Sequence, residues 1–222
     1  MKTTLDNLNK IKKLIKEDKH LSQMKGGVLY SNISTLKKGK FYFLGVNPGG
    51  TNADSILENI DFKGDKESHF LEAWDNGNGE YESGEAPLQK RVIELFEKLD
   101  TSIINVCSSN LIFRQSKDLK ELEGGLVKNA NICWKVHELL VNEIVQPKYI
   151  ISHGGFVYNY LVNNQGFKKE KIFESGHGSW TIKVAKKDDI TLINLPHLSY
   201  YTPFTKNEKK QKALNEFLEL ID

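Results

Sequence analysis

The sequence FYFLGVNPGG at residues 41–50 decides the fold of this chain. Its first six residues are mostly apolar and rich in aromatic side chains, a pattern that predicts a buried strand. The strand stops at Asn47, because the Pro48-Gly49-Gly50 that follows cannot continue a strand or a helix. Ligands of open α/β sheets bind beyond the carboxyl ends of the strands, so Asn47 stands where a catalytic side chain would stand. A plain turn is the alternative, since Asn, Pro and Gly are common turn residues.

Further apolar runs and helical patterns alternate along the rest of the chain. Three more strands are predicted at residues 102–107, 149–152 and 191–195. Helical spacing is present from Pro87, at about 119–145, at 156–162 and at 206–221, and a small hairpin is predicted at 172–185. This alternation indicates an α/β fold with three layers, in which a central, mainly parallel four-stranded sheet lies between two layers of helices (α/β/α).

The chain of 222 residues is expected to form a single domain, 1–222, with two additions. An amphipathic N-terminal helix is predicted at about residues 5–17. An acidic insertion covers about residues 61–85, where eight acids stand against two lysines: Asp61, Asp65, Glu67, Glu72, Asp75, Glu80, Glu82 and Glu85. Glycines and charges leave little to bury there, so we expect this acidic segment to be mobile or lid-like.

Composition excludes several classes of protein. Hydrophobic residues make up 39% and charged residues 27%, as in soluble globular proteins. The net charge of +2 is nearly balanced, so any DNA site must be a local patch. No apolar run reaches the roughly 18 residues of a membrane span, and no signal peptide is recognisable. We therefore expect a cytoplasmic protein with no membrane contact, and Cys107 and Cys133 suit a reducing compartment.

Motifs for bound groups are missing from the sequence. No phosphate-binding glycine loop, no G-x-S-x-G elbow and no H-E-x-x-H spacing is present, so we expect no cofactor and no metal. Two cysteines cannot hold an iron–sulfur cluster alone. Cys107 near a strand end is either a nucleophile or, as its apolar neighbours favour, a buried structural thiol.

Polar residues follow all four predicted strands. They are Asn47 after the first, the segment from Ser108 to Asn110 after the second, His153 after the third and His197 after the fourth. Carboxyl ends of parallel strands meet at one edge of a sheet, so these side chains are expected to open on one crevice. His153 is either a ligand-binding residue or a satisfied strand-end histidine.

Four segments resemble the uracil-DNA glycosylase superfamily, closest to its mismatch-specific uracil/thymine branch or its single-strand-selective branch. Residues 44–49, LGVNPG, resemble the first active-site motif, and 197–199, HLS, stand at the second, commonly His-Pro-Ser. Residues 110–119, followed by Gly124-Gly125, and residues 146–151 with Gly154 resemble segments around the second and third strands. The resemblance covers about residues 41–204 in matching order. Leu198 departs from the motif's proline, and the stretch between Asn47 and the next helix is longer than members usually need.

The resemblance implies a monomeric enzyme that hydrolyses the N-glycosidic bond of uracil or a related base in DNA, after the base leaves the stack. Asn47 would position the attacking water, and His197 would donate to the pyrimidine O2 as negative charge develops. Asn110 would read the Watson–Crick edge, with a loop cap as the alternative. Gly49, where some branches have a tyrosine, would leave room for a methyl group on the base.

Further site residues follow from the same resemblance. Ser199 is a candidate for phosphate contact, and Gly45, Val46, Pro48 and His153 are candidates for lining the substrate site. Aromatic candidates for a wedge or for stacking on the base are Tyr200, Tyr201, Phe204, Phe62, Phe70 and Trp74. Core packing is the alternative for each aromatic residue.

Two other functions stay open at this point. The chain is either an active glycosylase, a superfamily member that has lost catalysis and binds nucleic acid or a protein, or an α/β enzyme for a nucleoside-like small molecule. Asn47 and His197 favour the first function. The acidic segment favours the others, because phosphate contacts supply most of the affinity for DNA.

Overall fold

The computed structural model describes residues 2–50, 54–63, 66–75, 79–122, 124–202 and 207–221, without the side chains of residues 62 and 63. The α-helices in these ranges are α1 (Lys2–Glu17), α2 (Ile56–Lys63), α3 (Pro87–Lys98), α4 (Leu126–Leu139), α5 (Gly155–Asn164) and α6 (Glu208–Leu218). The strands are β1 (Phe41–Gly45), β2 (Cys107–Asn110), β3 (Tyr149–His153), β4 (Lys168–Glu174), β5 (Thr181–Lys187) and β6 (Ile190–Leu195). None of these helices is both long and apolar enough to cross a bilayer.

The strands form one mixed sheet in the order β2-β1-β3-β6-β5-β4. β1 is parallel to β2 and β3 is parallel to β6, whereas β5 is antiparallel to both β4 and β6. The predicted α/β class is confirmed. The predicted four-stranded sheet is wrong, because the hairpin of β4 and β5 pairs with β6 and extends the sheet to six strands. The enclosure of the sheet between two helical layers stays a prediction.

The second strand lies further along the chain than predicted. Ile103–Asn105, part of the predicted strand, forms a short 3-10 helix, and β2 is the polar run Cys107–Asn110. Residues 28–31 make this polar run possible: Tyr30 N–H donates to Ser108 O at 2.9 Å, and Ser109 Oγ donates to Val28 O at 2.5 Å. Buried polar groups are tolerated when they are hydrogen-bonded in this way.

The contacts of the chain divide it into two compact units. The first unit comprises Met1–Lys66 and Val106–Pro147, and the second comprises Glu67–Asn105 and Lys148–Asp222. In the first unit, all five residues of β1 are buried, as the sequence predicts. The predicted N-terminal helix is confirmed as α1, which begins a turn earlier than expected and buries Leu8, Ile11 and Ile15.

A buried histidine joins two elements of the first unit. Nδ1 of His137, in α4, lies 2.8 Å from the Tyr42 hydroxyl, and its Nε2 lies 3.2 Å from Leu111 O. Burial lowers the pKa of His137 to about 4, so the ring is neutral at pH 7. A carbonyl oxygen can only accept, so Nε2 carries the proton and Nδ1 accepts the hydroxyl proton of Tyr42.

In the second unit, residues 67–72 of the acidic segment are packed against α3. Glu67, Ser68 and His69 are buried. Gln89, on α3, donates its Nε2 protons to Ser68 O at 2.7 Å and to Glu72 O at 2.8 Å, while its Oε1 accepts the Ala86 N–H. The expectation that this segment buries little is therefore wrong for residues 67–69, because a buried glutamine on the neighbouring helix holds their backbone.

Candidate functional site

The side chain of Asn47 is fixed by its amide nitrogen. Nδ2 donates to Pro48 O at 2.9 Å and to Ser116 O at 3.1 Å. Only the nitrogen of an amide can face two carbonyl oxygens, so these bonds also fix which way round the amide group lies. Oδ1 is then the atom that half-buried Asn47 offers to a ligand, and an oxygen of this kind accepts a hydrogen bond from a bound water.

The rest of the Asn-Pro-Gly loop is held by the segment after β2. Ser116 N–H donates to Pro48 O at 3.1 Å, and Gln115 Nε2 donates to Gly49 O at 2.5 Å. Pro48 is buried, whereas Gly49 is exposed, and a Cβ added to Gly49 would meet nothing within 4 Å. The loop therefore combines a fixed backbone with free space at Gly49.

The other predicted residues of the first unit flank this loop. Gly45 and Val46 are buried, and their carbonyls accept the N–H groups of Leu111 and Ile112, each at 2.9 Å. Asn110 is half-buried at the end of β2, opposite Gly45 in the parallel register. Asn47 thus follows the end of β1, and Asn110 is the last residue of its parallel partner β2.

In the second unit, His153 and His197 are in contact. His153 ends β3 and His197 follows β6, and the two rings meet edge to face with centroids 4.7 Å apart. The register of the strands is secured one residue earlier, where Ser152 Oγ donates to Oδ1 of its neighbour Asn194 at 2.9 Å. The parallel pairing of β3 and β6 therefore places both imidazoles at the same strand ends.

The hydrogen bonding of His197 defines its tautomer. Nδ1 accepts the Ser199 N–H at 3.2 Å, so the proton of the neutral ring is on Nε2. Burial lowers the pKa of His197, and burial, with His197 and His69 nearby, lowers the pKa of His153 well below 6.5. Both rings are therefore neutral at pH 7, and His197 presents an N–H donor.

The loop that carries His197 is fixed on both sides. Arg91 Nη1, from α3, donates to Leu198 O at 2.5 Å, and the Leu198 side chain is fully buried. Tyr201 is also buried, and its hydroxyl donates to Ser175 O at 2.7 Å. Tyr200, by contrast, is 73% exposed, with its ring centroid 5.8 Å from that of His197. Of the two tyrosines, Tyr200 therefore has the exposed ring, whereas the burial of Tyr201 favours a packing role.

A buried acid–base pair lies in the acidic segment of the second unit. Oε1 of Glu67, a residue that is 0% exposed, is 3.1 Å from Nδ1 of His69. The Trp74 ring meets the edge of His69 at 5.7 Å and is held by its Nε1–H to Ser68 Oγ at 3.3 Å. Glu67 and His69 are not among the site residues that the sequence predicts, because a glutamate in an acid-rich run is normally solvated.

The remaining aromatic candidates differ in position. Phe70 is 41% exposed in the second unit. The side chain of Phe62 and the whole of Phe204 lie outside the described residues. Asn47 and Asn110 belong to the first unit, and His153, His197 and Ser199 belong to the second. The convergence of these side chains on one crevice stays a prediction.

The cysteines do not carry chemistry here. Burial raises the pKa of Cys107 and of Cys133 to about 12, so both are protonated thiols at pH 7, and the nucleophile alternative for Cys107 falls. Among the residues with described positions, no three His, Cys, Asp or Glu side chains are grouped so as to hold a metal ion.

In comparisons with known proteins, neither the scan of protein-family models nor the search of curated proteins found a match to this chain.

Proposed function

We propose that this protein is a DNA glycosylase that hydrolyses the N-glycosidic bond of uracil or a related base. The observation that carries the proposal is the 3.2 Å hydrogen bond from Ser199 N–H to Nδ1 of His197. This bond uses the acceptor nitrogen of the ring and leaves Nε2–H for a substrate. As the glycosidic bond breaks, negative charge gathers on the pyrimidine O2, and a donor placed there lowers the barrier.

The position of His197, half-buried beside the buried His153, supports this role. Burial excludes water, and a hydrogen bond to a developing charge is stronger where the local dielectric constant is low. A neutral imidazole also enters such a pocket at a smaller desolvation cost than an imidazolium. The lowered pKa of His197 is what a neutral N–H donor at pH 7 requires.

Asn47 is assigned the attacking water. Its Nδ2 donates hydrogen bonds to Pro48 O and Ser116 O, and its Oδ1 would accept a hydrogen bond from the water, so that a lone pair of the water points at the sugar. An amide does not take a proton at neutral pH, so Asn47 orients the water without acting as a general base. Loss of general-base help costs roughly 10²–10⁴ in rate, and we expect slow turnover.

The test is base excision from defined oligonucleotides. Purified protein is incubated with a labelled strand holding one uracil, either single or paired with guanine or adenine, and the strand is then cleaved with alkali at abasic sites. Cleavage at the uracil is expected, and the same strand with cytosine in that position is the control. Absence of cleavage with uracil, thymine and other damaged pyrimidines in every context contradicts the proposal. Release of free base from nucleosides alone would indicate a small-molecule hydrolase instead.

A further inference from the structure

The turn between β4 and β5 holds an ordered pair of aromatic rings. The turn closes through Trp180 N–H to His177 O at 3.1 Å and Ser175 N–H to Trp180 O at 2.9 Å. The His177 and Trp180 rings are 4.5 Å apart at an interplanar angle of 36°. The two rings are therefore in tilted contact and fixed on a short, hydrogen-bonded turn, and the glycosylase roles above use neither of them.

A buried ring supports this stack from behind. The Tyr201 ring lies 6.4 Å from Trp180 and 6.3 Å from His177, in edge-on geometry to both. Tyr201 is itself anchored through its hydroxyl to Ser175 O, so the support is rigid. Trp180 nevertheless remains 38% exposed. Tyr200, which precedes Tyr201 in the sequence, is 73% exposed. The turn therefore presents one open aromatic surface, Trp180, against a buried tyrosine.

Positive charge lies beside the same turn. A Cβ on Gly176 would fall 2.6 Å from backbone atoms of Lys209 and Lys210, so the first turn of α6 packs directly on the hairpin turn. Lys210 Nζ lies 5.8 Å from the centre of the Tyr201 ring. The side chain of Lys209 is exposed, and Asn207 Oδ1 accepts the backbone N–H groups of both lysines. The lysine side chains are therefore the groups that would meet an anion there.

We propose that Trp180 and His177 form a stacking platform for an unpaired base of single-stranded nucleic acid, and that Lys209 and Lys210 attract its phosphates. A flat, partly exposed indole next to cations matches the chemistry of such a strand, in which bases stack on aromatic rings and phosphates follow basic side chains. A duplex keeps its bases stacked on each other and offers no free base face to Trp180. DNA and RNA share this chemistry, and the 2′-hydroxyl distinguishes them.

The test is direct binding of fluorescein-labelled 16-nucleotide strands of thymidine or uridine, with a mixed-sequence duplex as a third probe. Trp180→Ala should weaken single-strand binding by about 5- to 100-fold, the usual effect of losing one stacked base. Trp180→Phe should bind nearly as the wild type because it keeps a flat ring. Leu5→Ala, at an exposed residue of α1, is the control and should change nothing. Thermal unfolding of each variant checks that the fold is kept.

Tryptophan fluorescence supplies a second measurement that needs no catalysis. Saturating strand should quench the wild-type emission, and Trp180→Phe should bind while losing most of that quenching. Lys209→Glu with Lys210→Glu should weaken binding and reduce its salt dependence. Equal binding by wild type and Trp180→Ala, unchanged quenching in Trp180→Phe, or a preference for duplex would each overturn the platform. Base excision by a protein whose binding ignores Trp180 would overturn this inference and leave the proposed function standing.

Discussion

Ser199 and His197 are linked by a hydrogen bond that runs from the backbone N–H of Ser199 to Nδ1 of His197 at 3.2 Å. The two residues are two positions apart in the sequence, so the histidine tautomer is determined by the local turn and not by a distant residue. Leu198, between them in the sequence, is buried. The turn is thus held by apolar packing of Leu198 and by the hydrogen bond from Arg91 to its carbonyl.

Removal of the His197 imidazole should slow excision without preventing binding. His197→Ala should lower the rate by roughly 10²–10³, the usual cost of one donor to a developing oxyanion. The loss should be smaller for 5-fluorouracil than for uracil, because a better leaving group needs less help with negative charge. Single-turnover rates on both bases measure this. A proportional loss that is the same for both bases would contradict the donor role.

Substitutions of Asn47 should separate chemistry from folding. Asn47→Ala should abolish excision and leave oligonucleotide affinity within about threefold, because the amide acts on the water and not on phosphates. Asn47→Asp should also lower the thermal midpoint, since a carboxylate would face Pro48 O and Ser116 O, two acceptors, in place of a donor. Asp and Ala variants of equal stability would show that these two bonds do not fix the side chain.

The buried His137 should make stability depend on pH. Its pKa is about 4 in the folded protein, below the value of 6.5 for an exposed histidine, so between these values the unfolded chain binds more protons. The free energy of unfolding is therefore undiminished above pH 6.5 and falls by about 3 kcal/mol as the pH drops to 4. Urea unfolding at pH 7 and pH 4.5 measures the change. His137→Gln should show a smaller drop, and an equal drop in both proteins would contradict the assignment.

The strands that the sequence predicts correctly are those whose burial shows in their own residues. β1, β3 and β6 are short apolar runs, and each lies within about a residue of its predicted position, inside the usual error of strand ends. β2 was misplaced because Cys107–Asn110 is polar and is stabilised by Val28, Tyr30 and Ser31, which are distant in sequence. Patterns within a segment do not report such partners.

The residues of the candidate site likewise differ in whether their own segment of sequence reveals them. Asn47, His153 and His197 are recognisable because each follows an apolar run. Glu67 and His69 are not recognisable in this way, because their burial depends on Gln89 of α3. The side chain of Gln89 donates hydrogen bonds to the carbonyl oxygens of Ser68 and Glu72. Trp180 is not recognisable either, because its neighbours in sequence, Gly178 and Ser179, indicate only a turn. Its ring contact with His177 is visible only in the folded structure.

Gly49 and Gly50 should respond differently to added side chains. Nothing lies within 4 Å of a Cβ at Gly49, so Gly49→Tyr should fold normally and fill space beside the Asn-Pro-Gly loop. If the base binds there, the tyrosine should reduce thymine excision relative to uracil by roughly tenfold or more, because it would clash with the methyl group. Gly50→Ala is the contrasting variant: Gly50 has a φ of +93°, and its Cβ would lie 2.6 Å from Gln115 Nε2, so it should lose stability. Unchanged base preference in Gly49→Tyr would place the base elsewhere.

The pair of Glu67 and His69 should behave as one buried unit. His69→Ala leaves the fully buried Oε1 of Glu67 without its 3.1 Å partner and should lower the free energy of unfolding by about 1–3 kcal/mol, the usual cost of an unpaired buried polar atom. Glu67→Leu combined with His69→Ala removes both polar partners, so the double variant should be more stable than His69→Ala alone. The comparison by urea unfolding at pH 7 isolates the unpaired side chain, because both proteins lack the imidazole and its contact with Trp74. A double variant no more stable than the single one would mean that the contact between Glu67 and His69 contributes little, and that the segment is held chiefly by Gln89.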